Sequence, residues 1–84
     1  MQPEDVKALI EAALPGADVT VNSDGSHYEL TVVSEAFADL SRLRREQQIN
    51  AVLADAITSG SIHAVSNRLY TPEEWEQASK LQVS

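Results

Sequence analysis

Two histidines are the side chains in this sequence best suited to chemistry. His27 and His63 each stand beside a turn at the start of a predicted strand, where a side chain can be presented at a sheet edge. Imidazole binds borderline metals and titrates near neutral pH. Taken singly, a histidine in such a position is more often an ordinary solvated or hydrogen-bonded residue. Two histidines also cannot complete a zinc site, so other ligands would have to come from other residue types or from another molecule.

The sequence lacks the other common parts of an active site. It contains no cysteine and therefore cannot form a disulfide, a thiolate metal site or a cysteine nucleophile from its own residues. It has no nucleophile elbow, phosphate loop or dinucleotide fingerprint. Glu73, Glu74 and Glu76 are explained by the favourable position of acids at the start of a helix. We therefore expect a protein that is not an enzyme, has no small-molecule substrate and acts by binding a partner.

A short basic segment, Ser41 to Arg45, stands out in an acidic chain. The formal net charge of -7 argues against broad, charge-driven binding to nucleic acid. Yet Arg42, Arg44 and Arg45 are half of the 6 Lys and Arg residues. Cations at the start of a helix oppose its dipole, which suggests an external anion. Nucleic-acid phosphate, glutathione and an acidic partner surface remain open, beside the simpler explanation of a solvated helix end.

Periodicity predicts the order helix, strand, strand, helix, strand, helix. The predicted helices cover residues 3–14 and 43–59 and begin again at Thr71-Pro72, whereas the strands form a hairpin turning at Asp24-Gly25 and a third strand over 62–70. Phe37, Leu40 and Leu43 are expected as apolar anchors. A helical connection permits the second and third strands to be parallel. We therefore expect an α+β fold, with a three-stranded mixed sheet and helices on one face.

The length of 84 residues predicts a single domain covering residues 1–84. No apolar run approaches the roughly 18 residues that a membrane span needs, so no membrane association is expected. The first residues do not have the pattern of a basic stretch followed by an apolar one. We therefore expect a cytoplasmic protein.

Three segments carry a resemblance to a known family, at residues 24–28, 37–41 and 62–75. In this order and spacing they resemble the BolA family and, within it, the shorter bacterial IbaG-like branch. The resemblance extends over essentially the whole chain. It implies a fold similar to class II KH domains, in agreement with the element order predicted from periodicity.

The resemblance also implies a function. His63 matches the characteristic histidine of the family, and His27 matches a variable-loop position that holds histidine or cysteine in other members. In members that pair with a monothiol glutaredoxin, these positions are associated with a bridging [2Fe-2S] cluster, with sulfur ligands from the glutaredoxin cysteine and glutathione. The implied protein is an adaptor in iron-sulfur cluster assembly or trafficking, linked to iron homeostasis and stress response, and it holds no cofactor in isolation.

A nucleic-acid-binding transcriptional regulator is the alternative, since some relatives are described in that way. It would bind DNA through Ser41, Arg42, Arg44 and Arg45. The Gly-x-x-Gly loop with which KH domains clamp a single strand is missing, which weakens this alternative. Asp39 stands where relatives often have glycine, and Glu46 lies in a segment that is usually more basic or neutral. Both departures would weaken an interface beside the basic segment.

Overall fold

The computed structural model describes residues 2–24, 27–60, 62 and 64–82. In chain order its elements are α1 (Pro3–Ala13), β1 (Asp18–Asp24), β2 (His27–Val33), a short 3-10 helix (Glu35–Phe37), α2 (Arg42–Val52), α3 (Ala54–Thr58), β3 (Ala64–Tyr70) and α4 (Pro72–Gln82). The predicted order of helices and strands is confirmed. The predicted turn residue Gly25 and the predicted ligand His63 lie outside the described residues.

The three strands form one mixed sheet in the order β1-β2-β3. β1 and β2 are antiparallel, with Asp24 opposite His27. β2 and β3 are parallel, and their register pairs His27 with Ala64 and Val33 with Tyr70. The mixed sheet that the helical connection predicted is therefore confirmed.

One face of the sheet carries the hydrophobic core. Along β2 the side chains of Tyr28, Leu30 and Val32 are buried, whereas Glu29 between them is exposed, as expected for a strand with one face on the core. β1 contributes Val19, and the helices and loops contribute the remaining buried apolar side chains, which are Val6, Ile10, Leu14, Phe37, Ile49, Leu53, Ala56 and Ile62. The opposite face of the sheet is predominantly polar, and we call it the open sheet face.

The first helix is defined at both ends by local sequence. Pro3 occupies the first turn, where its missing N–H is harmless. The backbone N–H of Gln2 donates to the Asp5 carboxylate at 3.0 Å. After the helix, Gly16 adopts a φ of 86°, a left-handed conformation that favours glycine. The chain then turns directly into β1.

The predicted helix over residues 43–59 is wrong in one respect, because it is two helices. At Leu53 the backbone has φ -97° and ψ 5°, which departs from helical geometry and separates α2 from α3. The Leu53 side chain is nevertheless completely buried. Ile49, Leu53 and Ala56 therefore keep a helical spacing of apolar residues across the break, and this is why the pattern did not reveal it.

The expectation that Leu43 anchors the core is also wrong, because the residue is 63% exposed. Two residues correspond to a rotation of about 200° around a helix. The inward position in the first turn of α2 is taken by Arg45, so Leu43 lies on the outer side. Phe37, by contrast, is completely buried, as predicted.

The last helix continues directly from β3. The ring of Trp75 packs against that of Tyr70, with centroids 5.5 Å apart and planes inclined by 50°. This contact joins the first turns of α4 to the end of the strand. Among the helices of the described residues, none combines the length and the apolar character needed to cross a membrane.

Candidate functional site

His27 begins β2 and lies on the open sheet face. Its partner across the parallel pair is Ala64, and Ser66 follows two residues later on β3. Because side chains alternate along a strand, His27 and Ser66 belong to the same face. The His27 Nε2 atom lies 2.9 Å from the Ser66 Oγ atom, which is hydrogen-bond distance. The predicted ligand is therefore held by a neighbouring strand at one of its two nitrogens.

His63, the second predicted ligand, is not among the described residues. It directly precedes Ala64 in the sequence, and Ala64 is the residue paired with His27. The described part of the chain contains no group of three or more His, Cys, Asp or Glu side chains suited to hold a metal ion.

Carboxylates and hydroxyls surround His27 on the open sheet face. Asp24 is its partner on β1, and Glu29 lies two residues further along β2. Ser66 of β3 is the partner of Glu29 across the parallel strand pair. The face is therefore polar around the imidazole.

The predicted basic segment divides into residues with different environments. The hydroxyl of Ser41 accepts a hydrogen bond from the Arg44 backbone N–H at 3.2 Å and so caps α2. The side chain of Arg42 is 91% exposed and lies 3.7 Å from Glu46 one turn later. Arg44 is exposed as well. Ser41 therefore shapes the helix end, whereas Arg42 and Arg44 project from it into solvent.

Arg45, which the sequence predicted to bind an external anion, has a side chain that is only 12% exposed and makes contacts within the fold. Its Nε atom donates to the Leu40 carbonyl at 3.1 Å and its Nη1 atom to the Leu69 carbonyl at 3.2 Å. Both terminal nitrogens also donate to the Glu74 carboxylate. The guanidinium carbon lies 5.7 Å from the centre of the Phe37 ring. With its donors engaged in this way, Arg45 holds structural elements together.

Glu74 receives hydrogen bonds from two sides. Besides Arg45, the backbone N–H of Thr71 donates to its Oε1 atom at 3.0 Å, while the Glu74 N–H donates to the Thr71 hydroxyl at 3.2 Å. This reciprocal pair confirms the predicted helix start at Thr71-Pro72. The hydrogen bond from Arg45, followed by that from Thr71, lowers the pKa of Glu74, and the same ion pair raises the pKa of Arg45.

A further cation that the sequence did not single out is Arg68 on β3. It lines a cleft of about 380 Å³ together with Arg42 and Asn67. The Asn67 Oδ1 atom is buried and has no hydrogen-bond partner in the described part of the chain. The sequence contained little signal for this grouping, because Arg42 and Arg68 are brought together only by the packing of α2 beside β3.

The sequence profile of the family described as BolA-like protein matches residues 6–74. The chain is 36% identical to the acid stress protein IbaG of Escherichia coli K12 over 81 residues, or 96% of each protein. It is 37% identical over 76 residues to the DNA-binding transcriptional regulator BolA of Vibrio cholerae, covering 90% of this chain and 68% of that protein.

The fold agrees with these sequence matches. A solved structure of a BolA protein homologue from Coxiella burnetii superposes with a TM-score of 0.77 at 31% identity, covering 90% of this chain and 97% of that one. The relatives named above are called a stress protein and a regulator rather than enzymes. The family match, the extent of the shared sequence and the common fold lead to one conclusion: this chain belongs to the BolA family.

Proposed function

We propose that this protein is a cytoplasmic adaptor in iron-sulfur cluster assembly or trafficking. It binds a monothiol glutaredoxin and supplies His27 and His63 to a [2Fe-2S] cluster that the two proteins share. The cluster is cargo, and its sulfur ligands come from the glutaredoxin cysteine and glutathione. The protein acts by binding and not by turning over a substrate. Membership of the BolA family supports this proposal.

The observation that carries the proposal is the parallel pairing of β2 with β3. Its register aligns His27 with Ala64, the residue that follows His63 in the sequence. The start of β2, which carries His27, is therefore paired with the residue that follows His63, and this supports the proposal. If the two segments that carry these histidines lay on opposite sides of the molecule, His27 and His63 could not bind the same cluster.

The donor chemistry is compatible with such a cluster. Imidazole nitrogen replaces thiolate on one iron of some [2Fe-2S] centres and raises their reduction potential. The chain has 2 histidines and no cysteine, so it offers nitrogen and leaves sulfur to its partner. Among the described residues, the Nδ1 atom of His27 makes no hydrogen bond, whereas Nε2 is engaged by Ser66.

The test is to titrate a cluster-loaded monothiol glutaredoxin with this protein and to record visible absorption and circular dichroism. We expect new visible bands when the two proteins form a complex, because the imidazoles of His27 and His63 replace two of the sulfur ligands of the cluster. His27→Ala and His63→Ala should each reduce or abolish these bands. Lys7→Ala, at an exposed position on α1, is the matched control and should leave them unchanged.

The result that would overturn the proposal is an unchanged spectrum with both partners folded and the cluster intact. Size-exclusion chromatography of the same mixture provides the second measurement. A complex that forms equally well with the wild-type protein and both histidine variants would show that binding does not use these ligands.

Binding of DNA is the second candidate function, and one observation favours it. Arg42 and Arg44 project from the start of α2, and Arg42 and Arg68 line the same cleft. Cations that lie near one another can neutralise phosphates locally even in an acidic protein, although Glu46 and Glu74 line the same cleft. A relative from Vibrio cholerae is named a DNA-binding transcriptional regulator. This candidate predicts salt-dependent binding that is insensitive to substitution of the histidines.

A further inference from the structure

The hydrogen bond between His27 and Ser66 joins two strands on the open sheet face. The His27 Nε2 and Ser66 Oγ atoms are 2.9 Å apart, although the residues are separated by 39 positions in the sequence. The contact depends on the register, since Ser66 lies two residues beyond Ala64, the partner of His27. Ser66 is exposed and His27 is half-buried, so the bond contributes little to the hydrophobic core. The bond instead influences how the imidazole ring is oriented and which of its two nitrogens carries the proton.

A neutral imidazole carries one proton, on either Nδ1 or Nε2. If that proton were on Nδ1, the Ser66 hydroxyl would donate to Nε2, and neither ring nitrogen would have a free lone pair. If the proton is on Nε2, it is donated to the Ser66 oxygen, and the lone pair of Nδ1 is free. Histidines that bind metals generally donate their second N–H to a neighbouring acceptor, which fixes both the tautomer and the ring orientation.

We propose that Ser66 is a positioning residue that holds His27 with Nε2 protonated and presents Nδ1 as the iron-binding atom. The identity of the bound group, an iron-sulfur cluster, rests on the proposed function. The orientation of the imidazole rests on the observed contact between His27 and Ser66. The acceptor is an uncharged hydroxyl and not a carboxylate. The bond therefore orients the imidazole without adding to the negative charges of Asp24 and Glu29, which lie near His27 on the same face.

The first experiment uses the isolated protein and needs no cluster. Long-range proton–nitrogen correlation of the 15N-labelled protein, at a pH where the imidazole is neutral, distinguishes the two ring nitrogens of His27. We expect a single tautomer with Nε2 protonated in the wild-type protein and in Ser66→Thr. In Ser66→Ala we expect a mixture of tautomers. A wild-type ring protonated on Nδ1, or a Ser66→Ala ring identical to the wild type, would overturn the inference.

The second experiment measures binding to a cluster-loaded monothiol glutaredoxin. We expect Ser66→Ala to weaken cluster-dependent binding by about 10- to 100-fold, the usual effect of removing a partner that orients a metal ligand. Ser66→Thr should bind as the wild type does. Thr20→Ala, which removes an exposed hydroxyl from β1 on the same face, is the matched control. The visible circular dichroism of the bound cluster gives a second readout, which should differ only for Ser66→Ala.

The outcomes separate the two proposals. If the wild-type protein takes up the cluster and Ser66→Ala binds it equally well, the inference about Ser66 is wrong and the proposed function stands. If the wild-type protein fails to engage the cluster, the proposed function is wrong, and the assignment of Nδ1 as an iron ligand falls with it. The thermal unfolding of each variant shows whether a change in binding reflects loss of the fold.

Discussion

Arg45 of α2 and Glu74 of α4 are joined by two hydrogen bonds across 29 positions of sequence. The same guanidinium reaches the carbonyls of Leu40 and Leu69. One side chain thereby connects the loop before α2, the end of β3 and the first turn of α4. Because these elements approach one another only in the folded chain, the ion pair contributes to tertiary structure and not to the formation of any single helix.

We predict that Arg45→Met lowers the free energy of unfolding by about 2 kcal/mol, because two backbone carbonyls and the carboxylate lose a charged donor. Glu74→Gln should lower it by about 1 kcal/mol, since this carboxylate is partly exposed. A double-mutant cycle in urea should give a coupling energy of about 1 kcal/mol. Arg44→Met, at an exposed position in the same turn, is the control, and equal effects of Arg44→Met and Arg45→Met would contradict the prediction.

The ion pair also predicts how stability depends on pH. Folding lowers the pKa of Glu74 from its ordinary value of 4.5. Between the lowered and the ordinary pKa the unfolded chain therefore binds more protons, and stability rises with pH. The contribution of Glu74 is complete above its ordinary pKa and is lost as the pH falls through the lowered one. The stability difference between the wild-type protein and Glu74→Gln, measured by urea denaturation, should therefore shrink on acidification. A difference that is constant with pH would refute this explanation.

Ser41 should contribute to stability as the cap of α2. Its hydroxyl accepts the Arg44 backbone N–H, so Ser41→Ala leaves that donor without its partner. We expect a loss of about 1 kcal/mol in the free energy of unfolding, and we expect Ser41→Asp to restore most of it. Ser23→Ala, at an exposed position on β1, is the control. Equal stability of Ser41→Ala and the wild type in thermal and urea unfolding would contradict the capping role.

The arginines at the start of α2 give a test of nucleic-acid binding. If Arg42 and Arg44 each neutralise one phosphate, replacing both with alanine should weaken DNA binding at low salt. It should also reduce the slope of log affinity against log salt concentration by about 2. Fluorescence anisotropy with a labelled duplex measures both quantities. An unchanged slope would show that these arginines do not contact DNA. Replacing both Lys7 and Lys80 with alanine, which also removes two exposed cations, is the charge-matched control.

Local patterns were sufficient to predict most of the fold. The alternation of apolar and polar residues predicted the strands, and Thr71-Pro72 with Glu74 predicted the start of α4. The break at Leu53 was missed because the apolar spacing continues through it. The pairing of His27 with Ala64 was also beyond local reasoning, since the register of parallel strands is fixed by the packing of the helices that connect them.

The different environments of the arginines could have been predicted in part. Arg45 precedes the buried Ile49 by four residues, which places both on one face of α2 and indicates an inward position. Arg44 does not share that relation. Arg42 precedes Ile49 by seven residues and so falls on the same face, yet its side chain is 91% exposed at the start of the helix, so spacing alone does not distinguish it from Arg45. The sequence did not reveal that Arg45 pairs with Glu74 or that Arg42 and Arg68 line the same cleft. Both contacts depend on tertiary structure.

The buried apolar side chains of β2 lie on one face of the sheet and His27 lies on the other, and this asymmetry has an evolutionary consequence. The side chains that stabilise the domain and those proposed to meet a partner project in opposite directions from the same strands. A substitution on the open sheet face can therefore change what the protein recognises while the packing beneath it is preserved. We therefore expect specificity to be able to change in this architecture with little loss of folding stability.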